Sequence, residues 1–438
     1  MLRRALYAAD FTRRGVRPHW RGLDAFPRLG VAARRRRMGE LLLEQVRYFG
    51  TREDSLPEWR EAARCADPEA LWEMWPSLPV VTKRDLQTRF HPRELVARGV
   101  VGSPSSTGGS TGEPTPFLHD PAMLSAGAAA LFYSRRKMGW RPGMPVVAVW
   151  GSERDIGKYQ SWQRKAIAGL QNLHMVDGYV LDQRTVDRVL DLLARVRGAA
   201  VYGFTSMLEY VAREALKRGD ERVAGRVRAA WNGGEMLFPE QSALFQAAFG
   251  VPILNFYGGR ELSAMAYQPG AGLPLRVLRP LLFVEVVDDG GRAVPPGVPG
   301  RLLWTSTVCR GTPFLRYDVG DLGVYDEAGR DESGIHTLAE LQGREAGLVK
   351  LGDGRTINCL YWNHLFKEFP EVEQFQVAWK SAEPRMELRL RGTPFGDGRE
   401  ADLRRIARLV LGDTPLSVKW MERIPLTAQG KLLQVVRE

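Results

Sequence analysis

The sequence predicts an α/β fold: a large N-terminal domain of helix-covered sheets with a β-rich subdomain, then a small α+β C-terminal domain. Three observations carry this reading. The middle of the chain alternates short apolar runs with helical patterns, as parallel sheets covered by helices require. From about Leu281 the pattern changes to short strands separated by Gly/Pro turns. After Gly343 a compact run carries its own strand–strand–helix–strand pattern. The 438 residues would therefore divide as 1–342 and 343–438, the second long enough for a small domain.

Each element has a local reason. Pro121–Lys137 is Ala-rich with Pro at its start, which suits a helix. Pro145–Trp150 (PVVAVW) is a short apolar run and reads as a buried strand. Lys158–Leu170 and Arg184–Val196 read as helices, Ala199–Tyr202 as a strand and Ser206–Lys217 as a helix. Val227–Trp231 is again a strand, Pro239–Phe249 a helix and Pro252–Tyr257 a strand. In the β-rich part, Leu281–Asp288, Gly300–Thr305 and Gly323–Asp326 are expected strands. In the tail, strands fall near Phe375–Trp379, Met386–Arg391 and Leu416–Met421, with a helix at Ala401–Leu411.

Composition narrows the function classes. A hydrophobic fraction of 44% with 26% charged residues is ordinary for a globular protein and excludes a disordered or fibrous chain. The net charge of +11 comes from 62 Lys+Arg against 51 Asp+Glu, and about ten of the 62 are lysines. Such an arginine skew reads as a composition bias, and no nucleic-acid-binding signature accompanies it. A basic surface still attracts anionic nucleotides and coenzymes. The Arg34–Arg37 run reads as an exposed helical face. Cys65, Cys309 and Cys359 are scattered and form neither a disulfide framework nor a zinc site, which suits a reducing cytoplasm. His174 and His364 lack metal-ligand spacing. The N-terminus has no continuous apolar stretch of the signal-peptide kind, and nowhere do about 18 apolar residues run together. A cytoplasmic location without a membrane span is expected. The oligomeric state is not legible.

The segment Ser105–Thr115 (SSTGGSTGEPT) carries the strongest local signal for chemistry. Glycine lets backbone N–H groups approach a phosphate closely, and Ser/Thr hydroxyls add donors. It is not a Walker A loop, because no Gly-Lys-Ser/Thr follows at the required spacing. It resembles the phosphate-binding loop of the adenylate-forming enzymes, the acyl-CoA synthetase and peptide-synthetase adenylation superfamily. Six further segments follow that superfamily's order around it. LPVVTKRDL (78–86) resembles a segment of phenylacetate–CoA ligases, and WNGGE (231–235) their Gly-Glu loop. NFYGGRE (255–261) resembles the Tyr-Gly-x-x-Glu motif, and TPFLRYDVGD (312–321) the Tyr-Arg-Thr-Gly-Asp motif. GREAGLVKLGDGRTI (343–357) resembles the hinge motif, and PLTAQGK (425–431) the closing Pro-x-x-x-x-Gly-Lys motif. The resemblance spans roughly 78–431 and points to the phenylacetate–CoA ligase-like, CapK-like branch.

That resemblance implies ATP-dependent activation of a carboxylic acid as an acyl-adenylate, with pyrophosphate released, then transfer to a thiol of CoA or of a carrier protein's phosphopantetheine. It also implies that the small C-terminal domain is mobile. Lys431 and Glu261 would be catalytic, with Glu261 also holding Mg2+, a hard cation that takes oxygen ligands. Ser106, Thr107, Gly108, Gly109, Ser110, Thr111 and Gly112 would cradle the phosphates of ATP. Gly233, Gly234, Glu235, Tyr257, Gly258, Arg260, Asp321 and Arg344 would complete the nucleotide site, Asp321 on the ribose hydroxyls. Trp150, Phe204, Asn232 and Tyr257 would line the acyl pocket, with aromatic residues suiting an aryl or amphipathic acid.

The sequence departs from the family in three places. Ala346-Gly347 stand where the hinge acid is usual, Arg260 stands where a Thr precedes the motif Glu, and Thr115 stands for the loop Lys. Two alternatives stay open: an amide-forming ligase with an amine acceptor, and a nucleotide-binding homologue without turnover. Nucleic-acid binding has only the net charge behind it.

Overall fold

Valine- and alanine-rich runs in the middle of the chain build a five-stranded parallel sheet. Its order is Leu173–Asp177, Val146–Trp150, Ala199–Gly203, Val227–Asn232 and Ile253–Leu254. The computed structural model describes residues 2–107, 115–150, 168–169, 171–177, 183–223, 225–344, 349–350, 356–357, 362, 365–366, 368–380, 385–426 and 432–438. Parallel strands are covered on both faces, so they read as continuous apolar runs. Val147, Val149 and Val201 face one core, with Leu190, Leu208 and Phe245 from the helices Gln183–Arg195, Thr205–Arg218 and Pro239–Phe249. Val146, Ala200 and Trp231 face another core, against helix Pro121–Lys137 and the N-terminal helices. The strands end together at Trp150, Gly203, Asn232 and Leu254, the edge at which open α/β sheets bind ligands.

Two antiparallel four-stranded sheets follow. One has the order Thr337–Leu338, Leu275–Val277, Ser263–Tyr267, Phe256–Gly259. The other runs Leu282–Val287, Gly300–Ser306, Tyr317–Val324, Glu340–Arg344. In the tail, Val372–Lys380 pairs antiparallel with Arg385–Gly392, Leu416–Trp420 joins the latter in parallel, and Val435–Arg437 joins the former in parallel. Helix Asp397–Leu411 packs on this sheet, and Trp362, Phe369, Val377, Leu388 and Leu403 form a third core. Among the described residues, no helix is long and apolar enough to cross a membrane.

Several expectations are corrected. Pro252–Tyr257 is not one strand: Ile253–Leu254 closes the parallel sheet, and Phe256–Gly259 opens the next. Asn255 is the crossing point, its N–H donating to Gln268 Oε1 and its carbonyl accepting from the Gln268 N–H. The strand expected at Gly323–Asp326 is instead Tyr317–Val324 and contains the whole Tyr-Asp-Val-Gly-Asp run. Its Asp and Gly suggest a turn but belong to a bulge, since Val319, Gly320 and Asp321 stand opposite the single residue Leu302. Strands Leu173–Asp177 and Val435–Arg437 were not expected. Both are short and flanked by polar residues, so periodicity gives no signal. Apart from 168–169, the helix expected at Lys158–Leu170 lies outside the described residues. The Arg34–Arg37 run lies on helix Val31–Gly50 but is not simply solvated. Arg34 pairs with Asp331 at 2.7 Å and Arg35 with Glu69 at 2.8 Å.

Candidate active site

A hydrogen bond links the two antiparallel sheets. The Tyr257 hydroxyl, on Phe256–Gly259, donates to Asp321 Oδ2 at 2.7 Å. Asp321 lies on the bulge of Tyr317–Val324. The bulge is built from local chemistry. Gly320 has φ +78°, a conformation that favours glycine, and its N–H donates to Asp318 Oδ1 at 2.8 Å. Asp318 also accepts from Arg301 at 2.6 Å, so its carboxylate is tied up in holding the bulge. Arg344 is the register partner of Asp321 on the neighbouring strand.

Arg316, beside this run, is an anchor. It is 2% exposed and has φ +46°. Its guanidinium pairs with Glu285 at 3.1 Å and donates to the carbonyls of Pro76, Leu78 and Gly291. Burial pushes the Glu285 carboxyl up despite the opposing arginine.

Glu261 sits in the turn joining Phe256–Gly259 to Ser263–Tyr267, a turn closed by Ser263 at φ +62°. Its backbone carbonyl lies 2.9 Å from His119 Nε2. Its Oε1 lies 3.4 Å from the Tyr317 hydroxyl. Burial, reinforced by Glu261, holds the Tyr317 hydroxyl far above the usual tyrosine range, so it acts as a donor. No group of three or more His, Cys, Asp or Glu side chains arranged for a metal occurs among the described residues. A single carboxylate fits Mg2+ when phosphate oxygens supply other ligands. Arg260 is half-buried in the same turn.

The phosphate-loop hairpin is clasped at its mouth. Strands Ser103–Ser106 and Pro116–His119 pair, with Ser106 opposite Pro116. The Thr107 N–H donates to the Thr115 carbonyl, and the Thr115 N–H to Thr107 Oγ1, both at 2.9 Å. Thr115, in the usual lysine position, is thus buried hairpin structure. Gly108, Gly109, Ser110, Thr111 and Gly112 lie outside the described residues, as does Lys431.

The Gly-Gly-Glu loop follows strand Val227–Asn232. A methyl group added at Gly233 would lie 2.9 Å from the Tyr202 ring, and Gly234 has φ +74°. Asn232 was expected to face the acyl group. It is fully buried instead, and its amide joins three segments: it donates to Thr205 Oγ1 and the Glu235 carbonyl and accepts from the Phe256 N–H. Phe204 is likewise corrected to a core position, 1% exposed. Half-buried Trp150 stacks on both Phe204, at 4.0 Å, and Tyr202, at 5.0 Å. The Glu235 carboxylate, expected at the nucleotide, is held by protein groups. It accepts from the Ser206 N–H at 2.8 Å, from Ser206 Oγ at 3.1 Å and from the Leu432 N–H at 3.1 Å.

These parts surround a cleft of about 350 Å³ between the large unit and the tail. Glu235, Tyr257, Gly258 and Asp321 line one side, Phe375 and Leu432 the other. One residue was missed by sequence reasoning. The Lys83 ammonium lies 2.8 Å from where a side chain on Gly320 would begin, one residue before Asp321. Its segment was recognised, but only the backbone bridge of Val81 to Tyr317 brings it here.

A parallel sheet, two antiparallel sheets and a tail thus flank a cleft that holds the Tyr257–Asp321 pair. Residues 164–310 match the family model described as AMP-binding enzyme. A phenylacetate-coenzyme A ligase of Thermus thermophilus is 26% identical over 259 residues, 56% of this chain and 55% of that protein. The match thus spans about half the length of that curated relative. Among solved structures, a 2-hydroxyisobutyryl-CoA ligase in its postadenylation state superposes with a TM-score of 0.69 at 18% identity, covering 94% of this chain and 90% of that one. The same ligase in its thioesterification state gives 0.56 at 20% identity, covering 94% and 91%. The amide bond synthetase McbA of Marinactinospora thermotolerans gives 0.54 at 20% identity, covering 76% and 67%. The partial family match, the fold and the motif order are all similar to those of the adenylate-forming superfamily.

Proposed function

We propose that this chain couples ATP cleavage to carboxylate activation and then forms a thioester. A carboxylate oxygen attacks the α-phosphorus of ATP, and the bond to the β-phosphate's bridging oxygen breaks. Pyrophosphate leaves with that electron pair. A thiol of CoA or phosphopantetheine then attacks the acyl carbon, AMP departs, and the thiol proton passes to solvent. The observation that carries this reading is the Tyr257–Asp321 pair on the wall of a cleft that also receives Leu432, the residue after Lys431.

Asp321, oriented by Tyr257, accepts from the ribose hydroxyls. Ser106 to Gly112, Arg260 and Arg344 hold phosphate oxygens, and Lys431 offsets charge developing at the α-phosphate. Glu261 holds Mg2+, which supplies charge neutralisation on the phosphates when bound. The half-buried Trp150–Tyr202 stack at the sheet edge favours an aryl or amphipathic acid. The reading also assigns residues 1–342 to the adenylate-forming domain and 343–438 to a mobile one.

Pyrophosphate exchange across aryl, fatty and amino acids tests the first half-reaction. At least one acid should support exchange, and Lys431→Ala should lower it by about 10²–10³-fold. No exchange with any acid would favour a homologue without turnover. The similarity to an amide bond synthetase supports one further acceptor class, so CoA, a carrier protein and amines are compared in the second half-reaction.

A further inference from the structure

The Glu235 carboxylate joins two distant parts of the chain. Helix Thr205–Arg218 begins at Phe204, which offers no side-chain cap to the Ser206 N–H. Glu235 caps the helix from a distant loop through the Ser206 N–H and hydroxyl. A negative group suits a helix N-terminus. The same Oε1 that takes the Ser206 hydroxyl also accepts from the Leu432 backbone N–H.

Leu432 is held from the tail side as well. The Gln376 amide donates to the Leu433 carbonyl at 3.0 Å, and Val435–Arg437 pairs with Val372–Lys380. The segment after Lys431 is therefore fixed between the tail sheet and one carboxylate of the large unit. Nearby, Met236 packs against the tail core, and the Arg391 guanidinium lies 5.2 Å from the centre of the Tyr210 ring.

We propose that Glu235 is a positioning residue for adenylation: it latches the Leu432 backbone and so holds the Lys431 segment at the cleft. The inference rests on the reading of Lys431 as the adenylation lysine. The latch is releasable by construction. When Leu432 withdraws, Glu235 keeps its two bonds to Ser206, so the carboxylate is never stranded.

The test uses the full chain with Cys65 and Cys359 replaced by Ser and nitroxide labels at Val298→Cys and Arg408→Cys, both exposed positions. Glu235→Ala should lower the docked population about tenfold, the worth of a hydrogen bond to a charged group. Pyrophosphate exchange should lose a similar factor in kcat with KM for ATP little changed. Thioester formation from supplied acyl-adenylate should be retained. Leu432→Pro removes the N–H and leaves the helix cap, and with Leu432→Ala as the control for the lost side chain it should reproduce the distance change even where Glu235→Ala fails to fold. Unchanged distances in the folded variants would overturn the latch, as would an equal loss in both half-reactions. A parent that shows no exchange but has a Glu235-dependent distance would sink the activity and leave the latch standing.

Discussion

Tyr257 and Asp321, 64 positions apart, share a hydrogen bond of 2.7 Å that ties strand Phe256–Gly259 to strand Tyr317–Val324 across two sheets. On the proposed reading Asp321 accepts from two ribose hydroxyls, which needs one fixed rotamer, and this bond supplies it. Tyr257→Phe should therefore raise KM for ATP about tenfold while kcat changes little, which steady-state exchange kinetics would read. A fall in kcat at constant KM would assign Tyr257 to the chemical step instead.

Arg316 and Glu285 form the buried ion pair beneath this strand, with the Trp75 indole N–H as a third partner at 3.0 Å. Removing one partner strands the other charge. Arg316→Ala should cost about 3–5 kcal/mol of stability, measured by urea unfolding. The double change Arg316→Met with Glu285→Leu should recover part of that loss. A near-silent Arg316→Ala would show that water solvates Glu285.

Acid sensitivity should trace to Asp120. Burial raises its carboxyl pKa, but bonds from the N–H groups of Arg310, Met123 and Gly311 and from the Cys309 thiol outweigh this, so the net shift is downward. A lowered folded value means the stabilisation is present above about pH 4 and is lost as pH falls through the folded value. Asp120→Asn should be less stable at pH 7 and flatter on acidification, seen in denaturation midpoints from pH 7 to pH 3. A parallel pH profile would exclude Asp120. The Cys309 thiol, pushed up by burial and Asp120, should resist alkylation until the protein unfolds.

The sequence made the strand–helix alternation legible because apolar runs such as Val146–Val149 are buried on both faces, and helix Pro121–Lys137 because Asp120 and Pro121 mark its start. Motif order located Asp321, Tyr257 and Glu235 on one cleft. It did not reveal what their atoms touch. Asn232 and Glu235 look like ligand groups until the chain brings Thr205, Phe256 and Leu432 to them. Those partners lie up to 197 positions away, beyond any local pattern. Lys83 was silent for the same reason: its place beside Gly320 depends on a backbone bridge between distant segments.

The three apolar clusters bear on how the molecule melts. Among the described residues, the cluster formed by Trp362, Phe369, Leu388 and Leu403 takes only Met236 from before residue 362. Cooperativity follows shared burial, so this cluster should act as its own unfolding unit. Differential scanning calorimetry should resolve at least two transitions, and ATP should raise the later one more. Heat would then produce an intermediate in which one cluster is unfolded while the others stay packed. A single transition with equal calorimetric and van't Hoff enthalpies would contradict this.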